Sequence, residues 1–282
     1  MFAVIFGLFG LIIGSFLNVL ILRGGVRSLA GRSSCMSCKK EILWYDLLPI
    51  LSWMFLRGKC RFCKSKISAQ YLLVELITAL LFAVIGASTI PILFKLFALP
   101  IIAILIAISV YDLRHTIIPD AWVWTFNALA FSSIFLPMLW SGPRLFDVGV
   151  SVLAGISTAL PLFLLWLVSR GRWMGLGDAK LALGIGWLLG PFYGMIALFF
   201  AFIIGAAVSV FILLPFPYIV RFSKKVALLR QGFEGQGIAR LSNASQRITM
   251  KSEVPFGPFL VSACLLVWIT QMYGIPLPFL WQ

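Results

Sequence analysis

The sequence predicts an all-α polytopic integral membrane protein, with about eight transmembrane helices and a cytoplasmic four-cysteine, zinc-binding loop domain. Three observations carry this. The chain is 61% hydrophobic and its mean hydropathy is +1.05. Only 11% of its residues are charged, against about 25% in a soluble globular domain. Its apolar runs are continuous and mostly near the ~20 residues with which a helix crosses the hydrocarbon core, well beyond the ~10 of a barrel strand and without a barrel's alternation.

The first apolar segment, residues 1–22, runs from Met1 to Arg23. It has neither the basic leading region nor the small-residue cleavage site of a secretory signal, and reads as a retained span. Gly7, Gly10 and Gly14 recur at helical spacing and permit close helix packing, while Ser15 and Asn18 are placed to bond to neighbouring helices. Residues 23–69 are polar, basic and punctuated by cysteines, but their interior, Ile42 to Leu56, is apolar and reads as folded structure or a membrane-surface element. Further spans are expected at about 70–88 and 92–111, followed by the polar break Tyr111 to Asp120, whose Pro119 suits the first turn of a new helix. Spans at about 119–140 and 147–168 are joined by Ser141-Gly142-Pro143-Arg144. After the break Ser169 to Asp178 come a span at about 179–195, turning near Gly190-Pro191, and another reaching about Tyr218. Residues 220–253 are polar and basic and read as a mobile loop, and a last span covers about 255–273. Three regions result: 1–22, a first helix; 23–69, the cysteine loop; and 70–282, a membrane core of about seven helices that includes loop 220–253.

Charge tests the count. The net charge of +14 comes from 23 Lys/Arg against nine acids. Ten of the bases lie between Arg23 and Lys66, and seven between Arg221 and Lys251. With the N-terminus outside and eight crossings, loops 23–69, 112–118, 170–178 and 220–253 share the cytoplasmic side and, with Lys180 at the membrane edge, hold 21 of the 23 bases. Lys95 and Arg144 fall outside. The basic face is expected to meet anionic lipid headgroups, not nucleic acid. No internal repeat supports an inverted-repeat transporter.

This topology puts Asp112 and Asp178 at the same membrane edge. Two carboxyl groups brought close do not both ionise readily; one holds a proton while the other activates water, the division of labour in aspartyl proteolysis. Asp178 closes Gly175-Leu176-Gly177-Asp178, whose glycines allow backbone to approach a substrate strand. Each aspartate read singly is also a helix cap, and Asp120, beside Pro119, is the stronger candidate for that role or for orienting the site. His115, the only histidine, reads as a surface residue, and Asp46 and Asp147 as unremarkable loop acids.

Four of the five cysteines form two pairs, Cys35-Met-Ser-Cys38 and Cys60-Arg-Phe-Cys63, with 21 residues between them. Two such knuckles complete a closed tetrahedral site for a structural zinc ion. Lys39, Lys40, Lys59, Arg61 and Lys64 surround the thiols and favour thiolates. An iron-sulfur centre or a redox dithiol would use the same residues, whereas a reducing cytoplasm disfavours disulfides.

Taken together, Gly14-Ser15-Phe16-Leu17-Asn18-Val19, the two cysteine pairs, Trp44-Tyr45-Asp46, Leu51-Ser52-Trp53 and Arg57-Gly58-Lys59-Cys60 resemble the bacterial type IV prepilin peptidase family. The resemblance continues through Val74-Glu75-Leu76, Tyr111-Asp112, Ile118-Pro119-Asp120, Gly175 to Leu181 and Pro255-Phe256-Gly257-Pro258. It implies a bifunctional enzyme of the bacterial inner membrane. Such an enzyme cuts the basic leader of prepilins and pseudopilins after a glycine on the cytoplasmic side, then methylates the new N-terminus with S-adenosylmethionine. It implies that Asp112 and Asp178 are the catalytic pair, supported by Gly175, Gly177, Asp120 and Lys180. It also implies that the cysteine loop and Gly58 serve methylation. No glycine-rich nucleotide fingerprint marks the methyl-donor site.

Two features depart from the family. Leu113-Arg114-His115-Thr116 places an arginine near Asp112, to favour its ionised form or bind lipid phosphate, and loop 220–253 is long. The Tyr-Asp and Gly-x-Gly-Asp motifs also occur in presenilin-like intramembrane proteases, and a zinc-stabilised assembly factor or a transporter with an acid pair is the non-proteolytic alternative.

Overall fold

The computed structural model describes residues 1–24, 31–136, 145–213 and 255–275, and these are helical apart from turns and two isolated β-bridges, Ser34 with Glu41 and Lys59 with Lys66. Arg144, the end of the fourth expected span and loop 220–253 lie outside the described residues. The helices are α1 (Phe2–Arg23), the short α2 (Leu51–Phe55), α3 (Gln70–Ala87), α4 (Ile92–His115) and α5 (Asp120–Ser133). They continue as α6 (Leu145–Ser169), α7 (Leu176–Leu189), α8 (Pro191–Val208) and α9 (Gly257–Met272), with a 3-10 turn at Trp44–Leu47.

Among the described residues, five helical stretches are long and apolar enough to cross a membrane: α1, α3, α4, Gly149–Ser169 and Pro191–Phe211. Helices α5, α7 and α9 coincide with expected spans but have only 14, 14 and 16 residues. The multi-pass architecture therefore stands on five spans, and eight crossings are not confirmed. Gly190 makes the expected turn, with φ +83°, between α7 and Pro191 at the first position of α8.

Helix α4 is the axis of the bundle. Ile101, Ile102, Leu105 and Ile108 are fully buried, and α1, α3, α5 and α9 pack around it. Helices α6, α7 and α8 pack on one another, and α9 lies against α8. The expected close approach of the first span is to α3. A β-carbon on Gly10 would lie 2.7 Å from the Ala79 Cα, and one on Gly14 2.8 Å from the Glu75 Cα. Without a hydrophobic force between helices in lipid, such backbone proximity supplies the dispersion contacts that join them. Asn18 adds a bond across the pair, its Nδ2 donating to the Tyr71 carbonyl at 3.1 Å.

The bundle has two chemically distinct ends. At one, the C-termini of α1 and α4 meet the N-termini of α3, α5, α7 and α9. At the other, Lys95 is buried and its Nζ donates to the carbonyls of Gly86 (3.0 Å) and Ser88 (2.6 Å), so it closes the C-terminal end of α3. The acids discussed below all lie at the first end.

Gly10→Ala is expected to lower the thermal unfolding midpoint in detergent more than Gly7→Ala, because the β-carbon at position 10 would meet backbone at 2.7 and 2.9 Å, whereas at position 7 its nearest neighbour is Ala83 Cβ at 3.3 Å. Equal shifts would show that α1 and α3 separate without loss.

Candidate active site

Helix α4, expected to stop at residue 111, continues to His115. Thr116 ends it with a left-handed φ of +52° and donates its N–H to the Asp112 carbonyl at 2.8 Å. Asp112 therefore sits in the last turn with its carboxyl turned into the bundle, 4% exposed. Its Oδ2 accepts the backbone N–H of Gly257, the first residue of α9, at 3.0 Å. First-turn N–H groups have no partner within their own helix, so Asp112 caps a helix 145 residues further along the chain. A β-carbon on Gly257 would lie 2.6 Å from that oxygen, so only glycine permits the approach.

Asp178 is in the first turn of α7, after Gly175, which has extended backbone and accepts the Asp178 N–H at 3.3 Å. It is 7% exposed, and its Oδ1 is buried without a hydrogen-bond partner among the described residues. Ile118 lies between the two aspartate-bearing turns: a β-carbon on Gly177 would be 3.1 Å from its Cβ, and one on Gly257 3.3 Å from its Cδ1. Ile118 thus packs against both the turn that carries Asp178 and the residue that caps on Asp112. The two acids, 66 residues apart in the chain, therefore lie on either side of Ile118 at the same end of the bundle.

Lys180 and Asp120 stand beside this pair. Asp120 occupies the first turn of α5 after Pro119, but it makes no capping bond; its Oδ1 accepts Lys180 Nζ at 2.6 Å. Asn127, buried one helical face further along α5, donates from Nδ2 to the Lys180 carbonyl at 3.1 Å. Lys180 is held by α5 at both its side chain and its backbone, which restrains the turn carrying Asp178. Arg114 does not address Asp112: its Nε donates to Gln70 Oε1 at the start of α3. His115 is exposed, as expected, and its ring lies 4.4 Å from that of Tyr111, which also meets Trp122 edge-on at 5.2 Å.

The cysteine loop forms a second centre. Cys35, Cys38, Cys60 and Cys63 bring their sulfurs within 4.8 Å of one another, with no disulfide among the five cysteines. The two halves repeat one pattern. The Cys35 N–H donates to the Lys40 carbonyl and the Lys39 N–H to the Cys35 carbonyl; Cys60 with Ser65 and Lys64 with Cys60 do the same. Lys39 and Lys64 both turn with φ near +60°. Cys35 and Cys63 Sγ are 3.8 Å apart. That is far beyond a disulfide bond and matches the edge, about 3.8 Å, of a tetrahedron of thiolates around an ion bonded at about 2.3 Å. Backbone N–H groups of Cys38 and Ser37 lower the Cys35 thiol to about 6. Lys40 N–H pulls on Cys38, but desolvation and the neighbouring thiols push it to about 11. Four thiols this close cannot all ionise without a cation among them, and the residues fit a metal ion.

Asp46, which has no evident context in the sequence, is nearly buried and forms a two-pronged pair with Arg61, Nε to Oδ2 at 2.8 Å and Nη2 to Oδ1 at 2.6 Å. The Arg61 bonds hold its carboxyl below the usual carboxylate range. Gly58 turns the chain into the second knuckle with φ +65°, and a β-carbon there would lie 2.9 Å from the Trp53 ring. Glu75, buried in α3, accepts the Ile50 N–H at 2.8 Å and so fastens the loop to the bundle. Glu75, Asn127 and the partner role of Gly257 are not legible as site features in the sequence. The available signal is a polar residue inside an apolar run, which applies to Glu75 and Asn127 as it does to the aspartates.

Residues 99–210, which include both aspartates, match the profile of the type IV leader peptidase family, and residues 8–89 match the bacterial peptidase A24 N-terminal domain. The prepilin leader peptidase/N-methyltransferase of Aeromonas hydrophila is 30% identical, covering 97% of this chain and 91% of its own length. That of Bacillus subtilis strain 168 is 37% identical over 71% of this chain and 78% of its own length. The chain belongs to the type IV leader peptidase family. A further relative, the type 4 prepilin-like proteins leader peptide-processing enzyme of Escherichia coli O78:H11, is 36% identical over 64% of this chain and 75% of its own length. No solved structure matches the chain. In this member of the leader peptidase family the N-terminal profile spans α1, the cysteine loop and α3, and the second begins within α4.

A metal at the four thiols competes with protons, so acidification is expected to release it. Metal content of the purified protein, followed by atomic emission after dialysis at falling pH, should drop together with Cys35 protonation. Retention of full metal content in acid would show that the cysteines do not ligate it.

Proposed function

We propose that this leader peptidase homologue is a membrane aspartic endopeptidase. Its substrates are type IV prepilins or type II secretion pseudopilins, whose short basic leader it removes after a glycine at the cytoplasmic face of the bacterial inner membrane. The new N-terminus is then methylated with S-adenosylmethionine as donor. The observation that carries the reading is that Asp112 and Asp178, both buried, flank Ile118 at one end of the bundle. The names of the relatives, which cover 97% and 71% of the chain, support the substrate class and the second activity.

In this reading the pair shares one proton. The ionised carboxyl takes a proton from water, the resulting hydroxide attacks the scissile carbonyl, and the other carboxyl protonates its oxygen. Collapse of the tetrahedral intermediate breaks the C–N bond and the proton passes to the leaving amine. The Gly257 N–H orients Asp112, and since it is a donor, the shared proton resides elsewhere than on the Oδ2 side facing it. Lys180 and Asp120 hold the Asp178 turn, Gly177 lets Ile118 pack against it, and Gly175 leaves the space beside the Asp178 carboxyl open to substrate backbone. The absence of a partner at Asp178 Oδ1 suits an oxygen that meets water or substrate.

The ion at Cys35, Cys38, Cys60 and Cys63 is zinc in this reading, a closed site that folds residues 23–69 between helix 1–22 and the core 70–282. Gly58 serves methylation through the turn that it alone permits against Trp53. The basic loops face the cytoplasm, where Arg170 and Arg172 beside α7 meet anionic lipid.

Asp112→Asn and Asp178→Asn are each expected to reduce leader removal by at least about a hundredfold while membrane insertion is retained. The mass of the pilin N-terminus after incubation reads this directly. Unchanged processing by either variant, or a cut inside the apolar segment, would overturn the reading. Cys38→Ser and Cys63→Ser should lose zinc and impair methylation more than cleavage. Equal loss of both would assign the loop to peptidase folding.

A further inference from the structure

The cysteine loop leaves an apolar surface uncovered. Leu51, Met54 and Phe55 lie at i, i+3 and i+4 on α2 and share one face, and they are 51%, 61% and 83% exposed. Trp44, at the start of the preceding 3-10 turn, is 75% exposed. A water-facing domain rarely presents such a contiguous group.

The anchoring bond ties this surface to α3. Ile50, the residue before α2, is held by Glu75, which lies five residues beyond Gln70 in α3. At the helical rise this is about 7.5 Å down the axis from the helix start. The neighbouring turns carry Leu73, Leu76 and Ile77, apolar and exposed, which form the lipid-facing wall of a candidate membrane span. Ile50 takes φ +61°, a left-handed conformation unfavourable to a β-branched residue, so the backbone is strained into this position. The first turn of α2 is thus tied to the beginning of a candidate membrane span. Arg57 and Lys59, both exposed, follow directly. Aromatic and aliphatic side chains bordered by bases are the pattern of a segment lying in the headgroup region. A second copy of this chain, with its net charge of +14, or a basic leader would meet repulsion from the same bases.

We propose that the 3-10 turn and α2 are a bilayer-docking face, with Trp44, Leu51, Met54 and Phe55 inserted among the headgroups and upper acyl chains of an anionic leaflet. The inference rests on the membrane placement of α1 and α3 but not on the peptidase reading. Docking would keep the cysteine unit against the leaflet beside the end of the bundle that carries Asp112 and Asp178.

The test uses full-length protein with the photoreactive residue benzoylphenylalanine in place of Phe55, in nanodiscs of phosphatidylethanolamine and phosphatidylglycerol. A second protein carries it in place of the lipid-facing Leu80 as a reference. Irradiation is expected to add the mass of one phospholipid at both positions, with metal content unchanged in both proteins. A lipid adduct at position 80 but none at position 55, or a crosslink from position 55 to a second copy or to added prepilin, would overturn the inference. Leader removal measured on the same preparations separates this failure from failure of the peptidase reading, since cleavage can persist without lipid contact at position 55.

Discussion

A polar side chain in an apolar bundle has to find its hydrogen-bond partner within the protein, and here the important ones find it on the backbone of another element. Asn18 of α1 reaches Tyr71, Glu75 of α3 holds Ile50, Asp112 of α4 holds Gly257, and Asn127 of α5 reaches Lys180. In hydrocarbon each of these groups, left alone, would lose its full solvation. Each bond therefore selects one register between two elements, which nonspecific apolar packing does not. Four such bonds at one end of the bundle explain why that end has a defined constellation.

The same constraint joins the two centres. Glu75 fastens the cysteine loop, while Gly14 lets α1 approach the Glu75 backbone closely, so the loop is seated on a rigid helix pair. The carboxyl pair is held from the other direction, by α9 through Gly257 and by α5 through Lys180. The small glycine contacts at positions 14 and 257 are where a single added methyl would be felt at once.

Much of this was legible. Eight apolar stretches were expected, and eight helices of 14 residues or more lie where they were placed among the described residues, five of them long enough to span. The cysteine pairs announce their cluster because a knuckle is local: a few residues and one left-handed turn at Lys39 or Lys64 build each half. The ends of helices were less legible. Asp112 belongs to α4 because Thr116, not Asp112, makes the left-handed stop, and nothing in Tyr111 to Thr116 distinguishes the two. Arg114 was expected near Asp112 but turns to Gln70, since successive residues on a helix point about 100° apart. Asp46 showed no context in the sequence because its partner Arg61 lies across a fold of the loop.

The amino-acid sequence by itself determined the solvent, the helical class, the four clustered thiols and the two acids too costly to bury without purpose. These follow from composition and from spacings of a few residues, which secondary structure converts directly into geometry. Only the tertiary structure decided that Asp112 caps α9, that Asp178 keeps an unpartnered oxygen and that Lys180 is clamped by α5. Those partners are 53 to 145 residues apart. Their meeting depends on which helix faces pack, and that is settled by the bundle as a whole.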